Sequence, residues 1–170
     1  MDDRFCWRRI VLKIILTESQ KKLLTNHAEN DKPNESCAIL FGSKNRESVS
    51  VKEVYLTKNI DESPVNFTIS NEQLIEGYRL AEEKKMEVIG IFHSHPNSIA
   101  YPSNTDKKFM HSNPVVWIIY SGISKELKSY VLDTDIIEVS TEILWFDWEI
   151  TRLYIDKYIL PILEGELKRK

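Results

Sequence analysis

Cysteine is scarce in this sequence, with only Cys6 and Cys37 among 170 residues. Two thiols are too few for a disulfide-stapled scaffold, and reduced thiols in a cytosolic protein are the simpler interpretation. Long apolar runs are also missing, since no stretch reaches the roughly 18 consecutive apolar residues that span a bilayer. The amino terminus starts with acidic residues and lacks a clean cleavage site of small residues, so it is a poor secretory signal. These absences predict a cytoplasmic protein that does not act at a membrane.

A charge excess of either sign is absent as well. The chain has 23 Lys and Arg against 26 Asp and Glu, so its formal net charge is −3. Nucleic-acid binding usually shows as a clustered basic excess, and nucleic acid is therefore not an expected partner. Hydrophobic residues make up 42% and charged residues 29%, which is typical of a folded globular protein. The length suits one domain with a short appendage.

Hydrophobic periodicity and capping signals predict strands and helices in mixed order. Thr17 followed by Gln20 is a capping-box pattern, and it predicts a helix over 18–30 with Leu23, Leu24 and His27 facing inward. The predicted strands cover 9–16, 36–41, 48–56, 87–92, 115–120, 127–132 and 136–140, and further helices cover 71–85 and begin at 103. This order indicates an α/β or α+β class with a mixed sheet.

The C-terminal part extends past the last predicted strand. Its apolar residues are close to helical spacing over 145–163, with Pro161 bending or ending the helix. Two interpretations stay open: the helix packs on its own domain, or it presents a face to a second copy or another partner. We therefore divide the chain into a domain over 1–140 and a C-terminal helical extension over 141–170.

Two histidines directly follow the apolar strand 87–92. Residues two apart on an extended chain point to the same side, so His93 and His95 can converge on one ion. Asp106 comes eleven residues after His95, in the first turn of a predicted helix, and the loop is long enough to bring it back as a third ligand. Two imidazoles and one carboxylate suit Zn²⁺ and leave a fourth position for water, as in catalytic sites. The same ligand set fits Fe²⁺.

A metal-activated water needs a group that takes and passes on its proton. Glu35, at the edge of an apolar segment, is the candidate, because partial burial there would raise its pKa. Taken singly, each residue has a plainer interpretation. Histidine pairs arise by chance, Ser103 and Asp106 suit a helix N-terminus, and Glu35 is one of many loop acids. Their co-occurrence at defined spacing favours the site.

The combined pattern resembles the JAMM signature of the MPN-domain metalloproteases. It consists of Glu35, then His93-Ser94-His95-Pro96, six further residues, and Ser103-Asn104-Thr105-Asp106. The stretch 35–42 resembles the family's Glu-x-Cys-Gly-Leu-Leu-x-Gly segment, with Ala38 where Gly is common. The stretch 100–103 is similar to the prokaryotic members in particular. The resemblance covers about residues 11–140, the length of a minimal MPN domain.

This resemblance implies a cytidine-deaminase-like α/β fold, in which helices sandwich a mixed sheet. It implies one zinc ion per chain on His93, His95 and Asp106. Glu35 then activates the metal-bound water and delivers its proton to the leaving amine, and Ser103 helps to stabilise the oxyanion. The implied reaction is hydrolysis of the peptide or isopeptide bond at the C-terminus of a ubiquitin-like or sulfur-carrier-like modifier in its protein conjugates.

Other readings of the same pattern remain. Within the same chemistry, the leaving group is a single amino acid, such as cysteine, released from a sulfur-carrier protein. An alternative function of a different class is a non-catalytic MPN scaffold that binds a ubiquitin-like partner. A nucleobase deaminase would share the fold, but it carries His-x-Glu and a later Pro-Cys-x-x-Cys, neither of which is present.

Several other residues are expected to have structural roles rather than to bind the metal. Ser94 must point away from the two histidine side chains and is expected to fix the loop through a hydrogen bond. Cys37 is expected to be a small buried hydrophobe, since nothing cationic flanks it. His27 and His111 are not expected to be ligands. Segment 65–69 is either an ordinary loop or one border of a groove that binds an extended tail by strand addition.

Overall fold

The computed structural model of the protein describes residue 11, residues 13–145 and residues 155–161. Its strands and α-helices follow one another as β1 (Lys13–Thr17), α1 (Glu18–Asn30), β2 (Cys37–Lys44), β3 (Ser48–Thr57), α2 (Asn71–Glu83), β4 (Glu87–His95), α3 (Asn104–Ser112), β5 (Val116–Ser121), β6 (Leu127–Leu132) and β7 (Ile136–Leu144). No helix within these ranges is long and apolar enough to cross a membrane.

The strands form one mixed sheet that closes into a barrel in the order β1-β3-β2-β4-β5-β6-β7. β2 runs antiparallel to both β3 and β4, and β4 runs parallel to β5. β5, β6 and β7 are antiparallel neighbours, and β1 closes the ring by pairing in parallel with β3 and β7. The predicted mixed α/β class is confirmed, and the finer cytidine-deaminase-like arrangement stays a prediction.

Helix α1 begins and ends where its capping pattern predicts. Thr17 accepts a hydrogen bond from the backbone N–H of Gln20, whose side chain accepts one from the N–H of Thr17 in return. Leu24 and Ala28 are buried, four residues apart on one stripe. The prediction that Leu23 faces inward is wrong: it is exposed, because one residue step turns a helix by about 100°. His27 is half-buried and contacts the Cys37 carbonyl.

The strand before the metal motif is longer than the sequence pattern predicts. We expected β4 to end at Phe92 and His93 to begin a loop, and this boundary is wrong. The ladder with β5 continues to the pair of His95 and Ser121, so both histidines belong to the strand. β7 likewise continues past Ser140, because residues 140–144 pair with β1. Both extensions depend on partner strands that are distant in sequence.

Two hydrophobic clusters line the sheet. One contains Leu24 and Ala28 of α1 and the apolar side chains of one sheet face. The other joins Ala81 of α2 and Met110 of α3 to the opposite face, around the fully buried Trp117. Burying a large apolar side chain of this kind stabilises a fold by about 1.5–3 kcal/mol. The second cluster lies directly beneath the two motif histidines, so it supports the candidate site.

The predicted C-terminal helix over 145–163 lies mostly outside the described residues. Within it, Ile155–Ile159 forms a π-helical turn. The division of the chain at residue 140 and the helical extension therefore stay predictions. The predicted first strand, 9–16, also begins outside the described residues.

Candidate metal centre

His93 and His95 lie at the carboxyl end of β4 and point to the same face of the strand, as their spacing predicts. Ser94 between them points the other way. Its Oγ accepts hydrogen bonds from the backbone N–H and the hydroxyl of Ser36, at 2.9 and 3.1 Å. Its N–H donates to the Ser36 carbonyl at 3.0 Å. The predicted fixing role of Ser94 is confirmed, and it ties the histidine strand to the residue that follows Glu35.

Asp106 is placed by the first turn of α3. Ser103 is the N-cap: its Oγ accepts from the Asp106 N–H at 3.1 Å, and Asp106 Oδ2 accepts from the Ser103 N–H at 2.7 Å. This reciprocal capping box holds the carboxylate in one orientation. The side chain is buried and faces both histidines.

The connection between His95 and Asp106 is held at several points. The Ser121 hydroxyl donates to the Ser98 carbonyl at 2.7 Å, and the Tyr130 hydroxyl donates to the Ala100 carbonyl at 2.5 Å. Both donors are buried in the sheet. The loop therefore folds back on the barrel, which is how a residue eleven positions away reaches the histidines.

The three side chains bring their donor atoms to one point. The two Nε2 atoms of His93 and His95 are 3.0 Å apart, and they lie 3.4 Å from Oδ1 and Oδ2 of Asp106 respectively. With one ligand atom taken from each residue, the three atoms lie within 4.8 Å of one another. Tetrahedral zinc has bonds of about 2.0–2.2 Å to such donors, which places neighbouring donors about 3.3 Å apart. His93, His95 and Asp106 thus fit three corners of a zinc site.

The ring orientation of His95 also suits a ligand. Its Nδ1 lies 3.0 Å from the Ile99 carbonyl, which can only accept a hydrogen bond. This contact places the hydrogen on Nδ1 and leaves the Nε2 lone pair directed at the cluster. Burial acts to lower the pKa of His95, but Asp106, the Ile99 carbonyl and Glu35 together raise it.

His93 is fully buried between aromatic rings. Its ring stacks on Phe67 at 4.7 Å between centroids and meets Trp117 edge-on at 5.7 Å. Burial lowers the pKa of His93 and keeps it in the neutral form that binds metals. Its Nδ1 has no hydrogen-bond partner among the described residues. On the Nδ1 side, the ring is therefore held by its aromatic walls, while Nε2 faces His95 and Asp106.

The carboxylate of Asp106 stays ionised despite its burial. Desolvation favours the protonated acid, but the neighbouring imidazoles of His93 and His95, together with Ser103, hold the pKa of Asp106 well below its usual range. A buried negative charge beside two imidazoles attracts a cation. The donor set, its spacing and its charge therefore agree with a divalent metal.

Glu35 lies next to this cluster, just before β2. It is buried, and its Oε1 is 3.9 Å from Nε2 of His95. Burial raises the pKa of Glu35 to about 7, because the desolvation outweighs the attraction of His95, and Asp106 adds to the increase. A carboxyl group with such a pKa both accepts and returns a proton near neutral pH.

Three further positions named from the sequence are Ser103, Cys37 and His111. Ser103 is exposed, and its contact with the Asp106 N–H uses the hydroxyl only as an acceptor. Cys37 is buried, and burial raises the pKa of its thiol to about 11, which confirms its structural character. His111 is exposed on α3, outside the cluster.

A family model described as prokaryotic homologs of the JAB domain matches residues 17–133. The chain belongs to this family. The resemblance to JAMM and MPN proteins is thereby confirmed, and the matched range of the JAB domain contains α1 to β6.

Named relatives of this JAB domain are hydrolases. The chain is 37% identical to a desampylase of Pyrococcus furiosus over 98 residues, which are 58% of this chain and 66% of that protein. It is 25% identical to CysO-cysteine peptidases of Mycobacterium bovis and Mycobacterium tuberculosis over 123 residues, 71% of this chain and 83% of those proteins.

A solved structure shares the architecture. The solution structure of a protein from Desulfitobacterium hafniense matches with a TM-score of 0.71 and 26% identity, over 78% of this chain and 94% of that chain. The agreement covers most of both chains, so the barrel and its helices are a shared arrangement.

Three residues that hold the site in this JAB domain are not predicted by any sequence motif. Phe67, in the segment 65–69 that is a candidate groove border, covers the ring of His93. Gly122 donates its N–H to the His95 carbonyl at 2.8 Å. Asn59 anchors the backbone of Glu35. In the sequence, Asn59 is one asparagine in a polar loop and Gly122 is a glycine just after an apolar strand. Both features are common in proteins and do not indicate a site.

Gly122 supports a first prediction. A Cβ at this position would lie 2.4 Å from the Pro96 carbonyl oxygen and 2.9 Å from its Cα, and both are backbone atoms. Gly122→Ala must therefore push Pro96 and the adjoining His95 away. We expect a loss of stability of about 1–3 kcal/mol and weaker zinc binding, measured by thermal unfolding and competition with a chelating dye.

Gly77→Ala is the matched control for that substitution. Its Cβ would crowd only the end of the flexible Ile39 side chain and would make ordinary van der Waals contact with the Tyr55 ring. We expect unchanged zinc affinity in this variant. Equal zinc affinities for Gly122→Ala and wild type would show that the close approach at Pro96 does not position His95.

Proposed function

We propose that this chain is a JAMM-type zinc metallopeptidase that hydrolyses the bond after the C-terminus of a ubiquitin-like or sulfur-carrier-like modifier. One observation carries the proposal: His93, His95 and Asp106 are buried with one ligand atom from each within 4.8 Å of the others, and the Glu35 carboxylate lies 3.9 Å from Nε2 of His95. Membership of the JAB family and the names of the hydrolase relatives support the reaction class.

His93, His95 and Asp106 would hold the zinc ion. When bound there, zinc supplies Lewis-acid polarisation of the scissile carbonyl and lowers the pKa of the attacking water. The protein's part is to hold the three donors at fixed spacing. The capping box of α3 and the ladder of β4 with β5 provide this spacing.

Glu35 would move the proton. As the new carbon–oxygen bond forms, its carboxylate accepts a proton from the attacking water. As the carbon–nitrogen bond breaks, it delivers that proton to the amine, so the products are a free amine and a carboxylic acid, which then loses its proton to the solvent. Its burial beside the cluster suits this exchange, because the charged and neutral forms are close in free energy there.

Ser103 would stabilise charge on the reacting carbonyl. Its Oγ accepts the Asp106 N–H, which fixes the oxygen at the rim of the site and leaves the hydroxyl hydrogen to be donated. A hydrogen bond to an oxygen that gains negative charge only in the transition state lowers the barrier selectively. This assignment of Ser103 complements its role as N-cap of α3.

The leaving group separates two versions of the function. Isopeptide hydrolysis releases a lysine side chain of a conjugated protein, whereas the alternative releases a single amino acid, such as cysteine, from a sulfur carrier. The relatives include proteins named for each: desampylase and CysO-cysteine peptidase. In the non-catalytic alternative, the same domain would bind a ubiquitin-like partner without processing it.

Chelation tests the proposed function directly. We expect the purified protein to cleave a panel of ubiquitin-like and sulfur-carrier proteins, each fused either to a reporter protein or to a single cysteine, directly after the last modifier residue. Product masses identify the leaving group. EDTA should abolish cleavage, because the polarising ion is removed, and added zinc should restore it.

A control with EDTA already saturated by zinc separates metal removal from other effects of the chelator. Cleavage that persists in the metal-free protein would contradict the metallopeptidase proposal. Binding to a modifier without any processing of the zinc-loaded protein would favour the scaffold.

The proposal extends to the setting of the reaction. We propose one zinc ion per chain in preference to iron, action on protein conjugates in the cytoplasm, and no nucleic-acid or membrane partner. A second copy of the chain, bound through the predicted helix over 145–163, is the proposed oligomeric partner. The domain would adopt the cytidine-deaminase-like arrangement that the JAMM resemblance implies.

A further inference from the structure

A single buried amide joins the segments beside the metal cluster. Asn59 follows β3, and its side chain is almost fully buried. Its Nδ2 donates to the Glu35 carbonyl at 2.9 Å and to the Asn66 carbonyl at 3.0 Å. Its Oδ1 accepts from the N–H groups of Asp61 and Thr68, both at 3.0 Å. All four hydrogen-bonding sites of the amide are thus satisfied by backbone.

These contacts fix the backbone of Glu35. The residue precedes β2, whose ladders with β3 and β4 begin only at Cys37. The Glu35 N–H instead donates to the Ser63 carbonyl at 2.8 Å, and its carbonyl accepts from Asn59. Both groups belong to the loop that follows β3. The position of the carboxylate over the cluster therefore depends on this loop.

The same amide fixes the ring that covers His93. Asn59 bonds the carbonyl of Asn66 and the N–H of Thr68, the residues on either side of Phe67. Phe67 is buried and stacks on His93 with only 22° between the ring planes. The Asn59 side chain thus fixes the backbone at Glu35 and also at Phe67, the ring that covers His93.

We propose that Asn59 is a positioning residue for Glu35, which acts on the reaction by holding the carboxylate at its distance from the cluster. This inference rests on the proposed function. The metal donors themselves are held by β4 and α3, whose own contacts do not include Asn59. Loss of the amide should therefore impair proton transfer more than zinc binding.

Asn59→Asp tests this role with nearly the same shape. The substitution keeps an acceptor for Asp61 and Thr68 but replaces the two donated hydrogen bonds with repulsion between a carboxylate and two carbonyls. A misplacement of about 1 Å is enough to lower a rate about 10²-fold. We expect kcat to fall about 10- to 100-fold, with KM within about twofold and zinc at one per chain. Asn71→Asp, the same change at an exposed position of α2, should leave kcat unchanged.

A double-mutant cycle distinguishes positioning from general damage. If Asn59 acts through Glu35, the variant that combines Asn59→Asp with Glu35→Gln should be no slower than Glu35→Gln alone. Reductions that multiply in the double variant would overturn the inference, as would wild-type kcat in Asn59→Asp or a loss of zinc in proportion to kcat.

Folding of each variant is checked by circular dichroism and thermal unfolding. If Asn59→Asp does not fold, the cycle is repeated with Asn59→Ser. The serine hydroxyl brings no charge and is too short to reach the carbonyls of both Glu35 and Asn66. The outcomes given above for Asn59→Asp apply to this variant in the same way. A wild-type protein that cleaves nothing would overturn the proposed function and this inference together. An active wild type with unaffected Asn59 variants would overturn this inference alone.

Discussion

Glu35→Gln is expected to lower cleavage about 10²- to 10⁴-fold, the range typical of a lost general acid–base group. Glutamine has the same shape as glutamate, but it neither accepts a proton from water nor delivers one to an amine. The three metal donors are unchanged, so zinc should stay at one per chain. Single-turnover cleavage of a modifier fusion, with elemental analysis of the same sample, measures both quantities.

A matched substitution strengthens that experiment. Glu82→Gln makes the same chemical change on the exposed face of α2 and should leave cleavage unaffected. Near wild-type cleavage by zinc-loaded Glu35→Gln would contradict the assigned proton-transfer role. Loss of zinc in this variant would instead indicate that Glu35 is a metal ligand.

The combined substitution of His93→Ala and Asp106→Ala is expected to abolish zinc binding and cleavage. It removes two of the three clustered donors and leaves a single imidazole, which binds zinc weakly. It also removes the buried carboxylate charge that attracts the ion. Elemental analysis after dialysis should give about one zinc per wild-type chain and none for the variant.

Two further variants make this result interpretable. Asp106→Asn keeps an oxygen that accepts the Ser103 N–H, so α3 retains its cap while the charge is lost, and zinc should again be weakened. His111→Ala removes an exposed histidine of the same helix and should retain zinc. A folded double variant that keeps one zinc would show that the ion binds elsewhere in the chain.

Local patterns predicted several elements of the fold to the residue. Helix α1 runs from Glu18 to Asn30 as expected, because its capping box involves neighbours three residues apart. The cap of α3 at Ser103 is local in the same way, and the bounds of β6 also agree. Ser70 followed by Gln73 also matches the capping-box pattern, but that box is half formed: Ser70 accepts from the Gln73 N–H, whereas the Gln73 amide faces the backbone of Lys58.

Strand ends were predicted less well, for a physical reason. A strand continues as long as a partner strand offers hydrogen bonds, and that partner is set by the tertiary fold. β4 continues to His95 because β5 accompanies it to Ser121, and β7 continues to Leu144 because β1 pairs with it. No pattern within either segment encodes those partners.

Residue type and local geometry are enough to predict the three metal donors of this candidate site. Strand alternation places His93 and His95 on one face, and the N-terminal turn of α3 presents Asp106, both through local geometry. What holds these groups depends on contacts between distant segments. Asn59 reaches Glu35 across 24 residues, and Gly122, in the turn after β5, lies against Pro96. Such contacts form when distant segments pack together, and packing depends on the whole chain rather than on any local pattern.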